Sequence, residues 1–538
     1  MVNPEQEEYN PIGVACDERQ HNGRARCCVA NILPESQSTL LTRTTLIVDV
    51  GQREPLRRIW RYVGYDECNY TDTPKGRRLL SKLGRMCDAP YFIRAHYLLC
   101  SGDPSLASIQ QGGRPKWGAT NVYTEDVDGN PVYDWRVIDA ILDAILESGC
   151  VPFVELGFMP QALGSAPHHA PYDNLQDGGW KYPPRDYVRW QGLVTALAQH
   201  CLDRYGLRTV SRWYWELWNE PDFDFYWRGT FQEFTRLYDH TVAGLVRVLP
   251  QALIGGPATT NPGSPNAGRF LEGFLDHCVN GTNAVTGGRG TRLDFISFHA
   301  KGAGAETFSP TEKHTPTIRR LVAHVAAGLE IVARFPTLRG REIILSECDP
   351  DGWAAGSMQD SPNLVYRNTE YYASYVARAV GRLLDLGADG SSRVDGMLTW
   401  AFQFEGRGYF EGLRTLSTND VDKPILNVFR LLARLGGSRL ATRFVSSGDA
   451  QAPGERHTDQ LSAVAAQGGS DEIQLLICCH HDDWDVKQGH QIDVAVTGLE
   501  PGVDYVMQQM VIDRTWGNSY TVWQEMGAPQ QPTAAQLT

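Results

Sequence analysis

The sequence predicts an α/β fold class, a (β/α)8 TIM barrel with an accessory antiparallel β-sandwich domain, and three features point there. Eight short runs rich in β-branched and aromatic residues recur between residues 57 and 402. Amphipathic helical stretches separate them, and after about 435 short β-rich runs alternate with Gly-rich turns. Strands alternating with helices imply a parallel sheet, and eight strands close such a sheet into a barrel. An open doubly wound sheet is the rival architecture, but no G-x-G-x-x-G fingerprint follows the first run.

In chain order, residues 1–36 hold Gly, Pro, charges and cysteines without periodicity and stand as an unassigned arm. Residues 37–56 contain TTLIVDV (44–50), a strand expected to join the C-terminal sheet. The barrel is expected over 57–435. Its strand runs are RRIWRYVGY (57–65), YFIRAHYLL (91–99), CVPFVELGF (150–158) and WYWELWNE (213–220), then ALIGGPA (252–258), LDFISFHA (293–300), EIILSECD (342–349) and GMLTWAF (396–402). The clearest helix runs from Asp134 to Glu147, with Val137, Ile138, Ile141, Leu142, Ile145 and Leu146 on one face. Asp134 is placed to cap its start and Gly149 to close its end. Similar periodicity occupies about 74–86, 186–204, 231–248, 317–334 and 369–386. Residues 436–538 are expected to form the sandwich, through runs at Leu461–Ala465, Glu472–Cys479, Gln491–Val496 and Tyr505–Ile512.

The 538 residues carry 50 Lys and Arg against 63 Asp and Glu, a formal charge of −13. That balance gives no long-range attraction to phosphate backbones or anionic lipid, so neither nucleic acid nor a membrane surface is an expected partner. None of the cysteines forms a C-x-x-C pair or has zinc spacing, and no metal is expected. They read mostly as reduced thiols, with room for a disulfide or two. The polar, acidic N-terminus lacks a signal-peptide pattern, which makes a cytoplasmic location the expectation. No apolar run reaches the ~18 residues of a membrane span, and the N-x-T sequons at Asn69 and Asn280 read as chance matches.

In such a barrel, functional groups collect at the C-terminal strand ends. Read in order, those ends offer Tyr65 and Asp66, Arg94 and His96, Glu155, Asn219 and Glu220, His299 and Lys301, Glu347 and Asp349, and Trp400 with Glu405. Two carboxylates stand out: Glu220 after strand four and Glu347 after strand seven. Glycoside hydrolysis needs such a pair, one to protonate the leaving oxygen and one to attack or to activate water. Trp215 and Trp218 give Glu220 an apolar setting that would raise its pKa, while Arg94 and His96 would keep Glu347 ionised. The competing reading is structural, since a lone strand-end Glu is more often a salt-bridge partner than a catalyst. Glu216, one layer below Glu220, is expected to be such an interior ion, and Glu155 is open. Trp400 is as readily core as a sugar platform, and a lone His299 is more often a packed histidine than a ligand.

W-x-x-W-N-E-P-D (Trp215 to Asp222) resembles the acid/base signature of clan A retaining glycosidases. P-F-V-E-L-G-F-M-P (152–160), R-A-H (94–96), R-Y-G-L (204–207), I-G-G-P (254–257), D-F-I-S-F-H (294–299) and T-W-A-F (399–402) add to it. Dense and collinear over about 57–435, these motifs are similar to glycoside hydrolase family 39, the β-xylosidases and α-L-iduronidases. The resemblance implies Glu220 as acid/base and Glu347 as nucleophile, Asn219 holding the sugar 2-OH, and His96, His299 and Trp400 lining the sugar site. It also implies a sandwich packed on the barrel and no cofactor. Asp349 and Glu405 complete the expected substrate-binding set, with Arg94 supporting the nucleophile.

H-A-K-G (299–302) and E-C-D-P-D-G-W (347–353) look closer to the iduronidase branch, whereas 152–160 and the stretch up to Glu405 resemble the xylosidase branch. Lys301 would then serve a uronate carboxylate, a neutral sugar hydroxyl or only a neighbouring carboxylate. The expected function is a retaining exo-glycosidase acting on an oligosaccharide or glycoside, a β-xylosidase releasing terminal xylose from xylo-oligosaccharides. Its alternatives are α-L-iduronidase-like or α-L-arabinofuranosidase activity. More distant classes are a Schiff-base aldolase using Lys301 and a non-catalytic sugar-binding protein.

Overall fold

In the computed structural model, eight parallel strands close a barrel in the order the sequence pattern implied. They are Tyr62–Tyr65, Phe92–Ala95, Val151–Leu156, Tyr214–Leu217, Leu253–Thr259, Phe295–Lys301, Glu342–Asp349 and Gly396–Trp400, and the last pairs back onto the first. The structure describes residues 25–28, 42–66, 68–100, 121–168, 172, 178–387, 392–446, 456–469, 472–486 and 488–537. Two compact units emerge, one of residues 57–433 with 518–538 and one of 1–56 with 434–517.

Period-2 alternation turns one face of each strand into the barrel. Tyr62, Phe92, Phe153, Tyr214, Leu253, Phe295, Ile344 and Leu398, one from each strand, meet in a single apolar cluster capped by Trp400. A buried side chain of this size contributes roughly 1.5–3 kcal/mol, so the plug fixes the strands and forms a dry floor beneath the polar strand ends. Gly64 is required there, because a Cβ would stand 2.5 Å from the Trp400 ring.

Helices follow the strands and begin on polar caps. The Thr73 hydroxyl accepts from Gly76 N–H, Asp186 accepts from Val188 and Arg189, and Thr230 and Glu233 form a reciprocal capping box. The helix expected from Asp134 spans Arg136–Glu147 with Trp135 in the cap position, although Asp134 still accepts from Arg136 N–H. Among the described residues, two helices of ten or more residues escaped the periodicity: Pro265–Asn280 and Pro424–Ala433. Gly268 and Gly273 inside the first weaken its helical signal, whereas its Pro at the first turn suits a helix start.

The second unit is one six-stranded sheet among the described residues. Its order is Ala25–Cys28, His490–Thr497, Thr42–Pro55, Ser438–Ser446, Leu461–Gln467 and Ile473–Cys479. Neighbours run antiparallel except His490–Thr497 against Thr42–Pro55, which is parallel. The sheet curls, so that Ile473, Leu475 and Ile477 from one end and Ile492, Val494 and Val496 from the other pack on the same core of Leu46, Val48, Phe444 and Leu461. The strand at 44–50 joins this sheet, and part of the unassigned arm supplies an edge strand; the rest of that arm lies outside the described residues.

Two expectations fail here. Residues 505–512 form no strand: their backbone is irregular and Val506 is 99% exposed, so no face of the segment is buried. Residues 518–538 fold with the barrel rather than with the C-terminal sheet. There Tyr520 and Trp523 lay their rings 5.4 and 5.0 Å from Phe410, and Asn518 donates to Glu370. Every cysteine whose side chain is described is a free thiol. Among the described residues no helix is long and apolar enough to cross a membrane.

Candidate active site

Above the apolar floor lies a layer of buried charge. Arg94, two residues beyond Phe92 on strand two, is fully buried. Its Nε donates to Glu216 Oε2 at 2.6 Å and its Nη2 to Asn219 Oδ1 at 3.0 Å; Glu155 Oε2 lies 2.9 Å away and Glu347 Oε1 3.6 Å. Glu216 is thus the interior ion expected of it. Glu155 stands 2.5 Å from His96 Nδ1, and burial, aided by the Glu216 and Glu347 charges and opposed by Arg94, pushes its carboxyl well above the usual range.

The upper layer carries the two singled-out carboxylates. Strand four ends at Leu217, and Trp218 and Glu220 then adopt left-handed backbone with φ of 65° and 43°. This turn, pinned by Glu220 N–H donating to Ala258 O at 2.8 Å, aims the Glu220 side chain at the barrel mouth. Its Oε1 lies 2.8 Å from His299 Nδ1, which is itself 3.8 Å from Glu347 Oε2. One oxygen of each carboxylate and the His299 nitrogen all fall within 4.8 Å of one another.

Glu347 is gripped from several sides. Lys301 Nζ donates to its Oε2 at 2.6 Å and to Asp349 Oδ2 at 2.7 Å, while His96 Nε2 lies 3.6 Å from its Oε1. Asp349 Oδ1 accepts from the backbone N–H of Trp400. A metal ion between Glu220, His299 and Glu347 would sit against the Lys301 ammonium, so the donor set with its attendant cation does not suit one.

Electrostatics separate the two carboxyls. Burial, reinforced by the Glu347 charge and opposed by Lys301 and Arg94, raises the Glu220 pKa to about 8. Burial pushes Glu347 upward too, but His299, Lys301, His96 and Arg94 outweigh it and hold the carboxyl well below the usual range. Of these, Lys301 and Arg94 are the standing cations near neutral pH, because burial lowers His299 to about 4. Lys301 keeps its charge: burial opposes it, yet Asp349 and Glu347 leave its pKa raised. The site therefore holds one protonated and one ionised carboxyl together, the split that acid/base and nucleophile roles require.

The remaining expected residues divide. His96 lies against Trp400, ring centroids 4.3 Å apart, and Asp66 Oδ1 stands 3.5 Å from His96 Nε2. Trp400 is 2% exposed and belongs to the floor as much as to the mouth. Asn219 Nδ2 is buried without a hydrogen-bond partner among the described residues. Tyr65 is buried against Thr71 and Phe402. Glu405 is held by Thr73, Gln403 and Lys75 rather than by the charges around Glu347. Trp218 lines the strand-four turn, donating to Tyr226 O, while Trp215 points the other way and packs on Trp213.

Two neighbours went unread in the sequence. Tyr226, stacked 5.6 Å from Phe158 and 6.0 Å from the His96 ring, belongs to the aromatic run FDFYW (223–227) just beyond Glu220, a signal that was present. Arg414, which donates to Trp400 O and lies 3.8 Å from Asp349 Oδ2, follows strand eight by a long loop and left no local signal.

Comparisons with known proteins agree with one another. The model of glycosyl hydrolases family 39 matches residues 117–538. A β-xylosidase of Caldicellulosiruptor saccharolyticus is 27% identical over 414 residues, covering 75% of this chain and 74% of that enzyme. Mouse α-L-iduronidase is 28% identical over 429 residues, covering 76% of this chain; the chain spans 62% of that enzyme's length. Among solved structures, a bacterial orthologue of human α-L-iduronidase superposes with a TM-score of 0.70 at 24% identity, over 92% of this chain and 77% of the other, a likeness of fold.

Proposed function

The chain belongs to glycosyl hydrolase family 39, and on that footing we propose that it is a retaining exo-glycosidase releasing a terminal neutral pentose, most simply xylose from xylo-oligosaccharides. The observation that carries retention is the spacing of Glu220 and Glu347, with facing oxygens within 4.8 Å. Double displacement uses carboxyl groups about 5–5.5 Å apart, whereas inversion needs roughly 6.5–9.5 Å to admit a water between them.

The chemistry follows from the split protonation. Glu347, ionised, attacks the anomeric carbon while Glu220 gives its proton to the departing oxygen, and a glycosyl-enzyme ester forms. Ester formation consumes the Glu347 charge, which removes the nearest repulsion from Glu220 and lets that residue persist as a carboxylate. Glu220 then takes a proton from water, the water oxygen attacks the anomeric carbon from the vacated face as its bond to Glu347 breaks and restores that carboxylate, and the sugar leaves with its configuration retained. The buried, unpartnered Nδ2 of Asn219 is the donor suited to a sugar hydroxyl.

A neutral sugar is favoured by the state of the cations. Arg94, Lys301 and Arg414 each already pair with carboxylates. The second reading, a uronide, rests on the one N–H that Lys301 keeps after serving Glu347 and Asp349. Aryl β-xyloside, α-L-arabinofuranoside and α-L-iduronide, assayed side by side, test both. Turnover chiefly of the xyloside with retained configuration supports the proposal, and turnover of the iduronide alone overturns it in favour of the second.

A further inference from the structure

We propose that Cys479, His481 and His490 in the accessory sheet form a binding site for a borderline-soft transition-metal cation of the zinc class. Cys479 is the last residue of strand Ile473–Cys479, and His490 is the first of strand His490–Thr497. These strands lie at opposite ends of the sheet order, with only the edge strand Ala25–Cys28 beyond the second. The curl of the sheet brings the two strand ends together at the connection 480–489. There one donor atom from each of Cys479, His481 and His490 falls within 4.8 Å of the others.

The distances suit coordination. Cys479 Sγ and His481 Nε2 are 3.7 Å apart. In a tetrahedral zinc site, with Zn–S about 2.3 Å and Zn–N about 2.0–2.1 Å, a sulfur and a nitrogen ligand stand roughly 3.6 Å from each other. The His481 and His490 rings lie with centroids 5.9 Å apart and a 30° tilt, which lets a nitrogen of each turn toward a common point. A thiolate with two imidazoles is a soft donor set that selects zinc-class ions over magnesium or calcium. Three protein ligands leave the fourth position for water.

His490 has the state a ligand needs. Neither of its ring nitrogens has a hydrogen-bond partner among the described residues. Cys479 is exposed and the two histidines are half-buried, with both His490 ring nitrogens themselves buried. The spacing C-x-H-x8-H matches no standard zinc pattern, which is why only the curled sheet reveals the cluster. A bound ion would tie both ends of the 480–489 connection, and any ion bound only to the folded form stabilises it by mass action.

The test uses the full chain, stripped with chelator and titrated with Co²⁺ as an optical probe for zinc. The site predicts one equivalent of Co²⁺ giving a thiolate-to-cobalt charge-transfer band with tetrahedral visible bands, displaced by Zn²⁺, and Zn²⁺ raising the Tm. Cys479→Ser should abolish the charge-transfer band with glycosidase activity unchanged. His490→Ala should weaken uptake by about a hundredfold, the upper end of what loss of a supporting outer-shell partner already costs. Thermal unfolding of both variants without metal checks their fold. The proposal is overturned if the unmodified chain shows no such band, or if the band persists undiminished in Cys479→Ser and His490→Ala.

Discussion

The Lys301 ammonium donates to Glu347 Oε2 across 2.6 Å while its other side holds Asp349. The pair joins the ends of barrel strands six and seven, where Lys301 stands in register with Asp349 and His299 with Glu347. Lys301 thus acts first on the nucleophile candidate and only with its remaining N–H on a substrate.

Removing that cation should be legible in a pH profile. A hydrogen bond to a charged group contributes about 1.5–3 kcal/mol, or roughly one to two pH units at 1.36 kcal/mol per unit. Lys301→Gln should therefore move the acid limb of kcat/KM to higher pH by about that much. An acid limb that stays in place would mean Lys301 does not govern the ionisation of Glu347.

The two carboxylates should fail in different ways. Glu347→Ala should lower kcat by about four orders of magnitude or more on every glycoside, as loss of a nucleophile does elsewhere. Glu220→Ala should spare substrates with good leaving groups, because an acidic aglycone needs no proton. Equal losses across a series of aryl leaving groups would remove Glu220 from the acid role.

On the alkaline side, activity should fall as pH rises through about 8, since only protonated Glu220 can donate. The acid limb should lie below the ordinary carboxylate range near ~4.3, because Glu347 must be ionised and is held low. Glu347→Gln removes a like charge and should shift the Glu220 pKa downward, read by NMR of labelled Glu carboxyls. An unchanged value would exclude Glu347 as a cause of the elevation.

Arg94 should matter to stability beyond its part at the site. Arg94→Met would leave Glu216 and Glu155 buried without their cation, and breaking a buried ion pair typically costs about 3–5 kcal/mol. Urea unfolding monitored by circular dichroism should show a loss of that order. A loss under 1 kcal/mol would show that the carboxyls take up protons and shed the penalty.

The apolar periodicity made the barrel legible. All eight barrel strands lie within the runs read from alternation or overrun them by a single residue, because a strand with one buried face must repeat every two residues. The candidate carboxylates were legible as well, one by Asn-Glu-Pro after a strand and the other by its place three strands on. The edge strand 25–28 was not, since its partner residues lie 465 to 471 positions later and leave no local trace. Nor was the irregular stretch 505–512, whose β-rich composition finds no surface to cover.

The sequence by itself determined the barrel, the order of its strands and which residues stand at their ends. The tertiary structure alone decided how those ends face one another. On strand seven Ile344 points into the apolar floor, and strict alternation would turn Ser346 inward and Glu347 outward. A register shift against strand six, after Phe298, inserts one extra residue and brings Glu347 and Asp349 opposite His299 and Lys301. At strand four, positive φ at Trp218 and Glu220 shapes the turn that follows Leu217 and sets where Glu220 points. Both irregularities reflect forces between strands, which no periodicity within a single strand can encode.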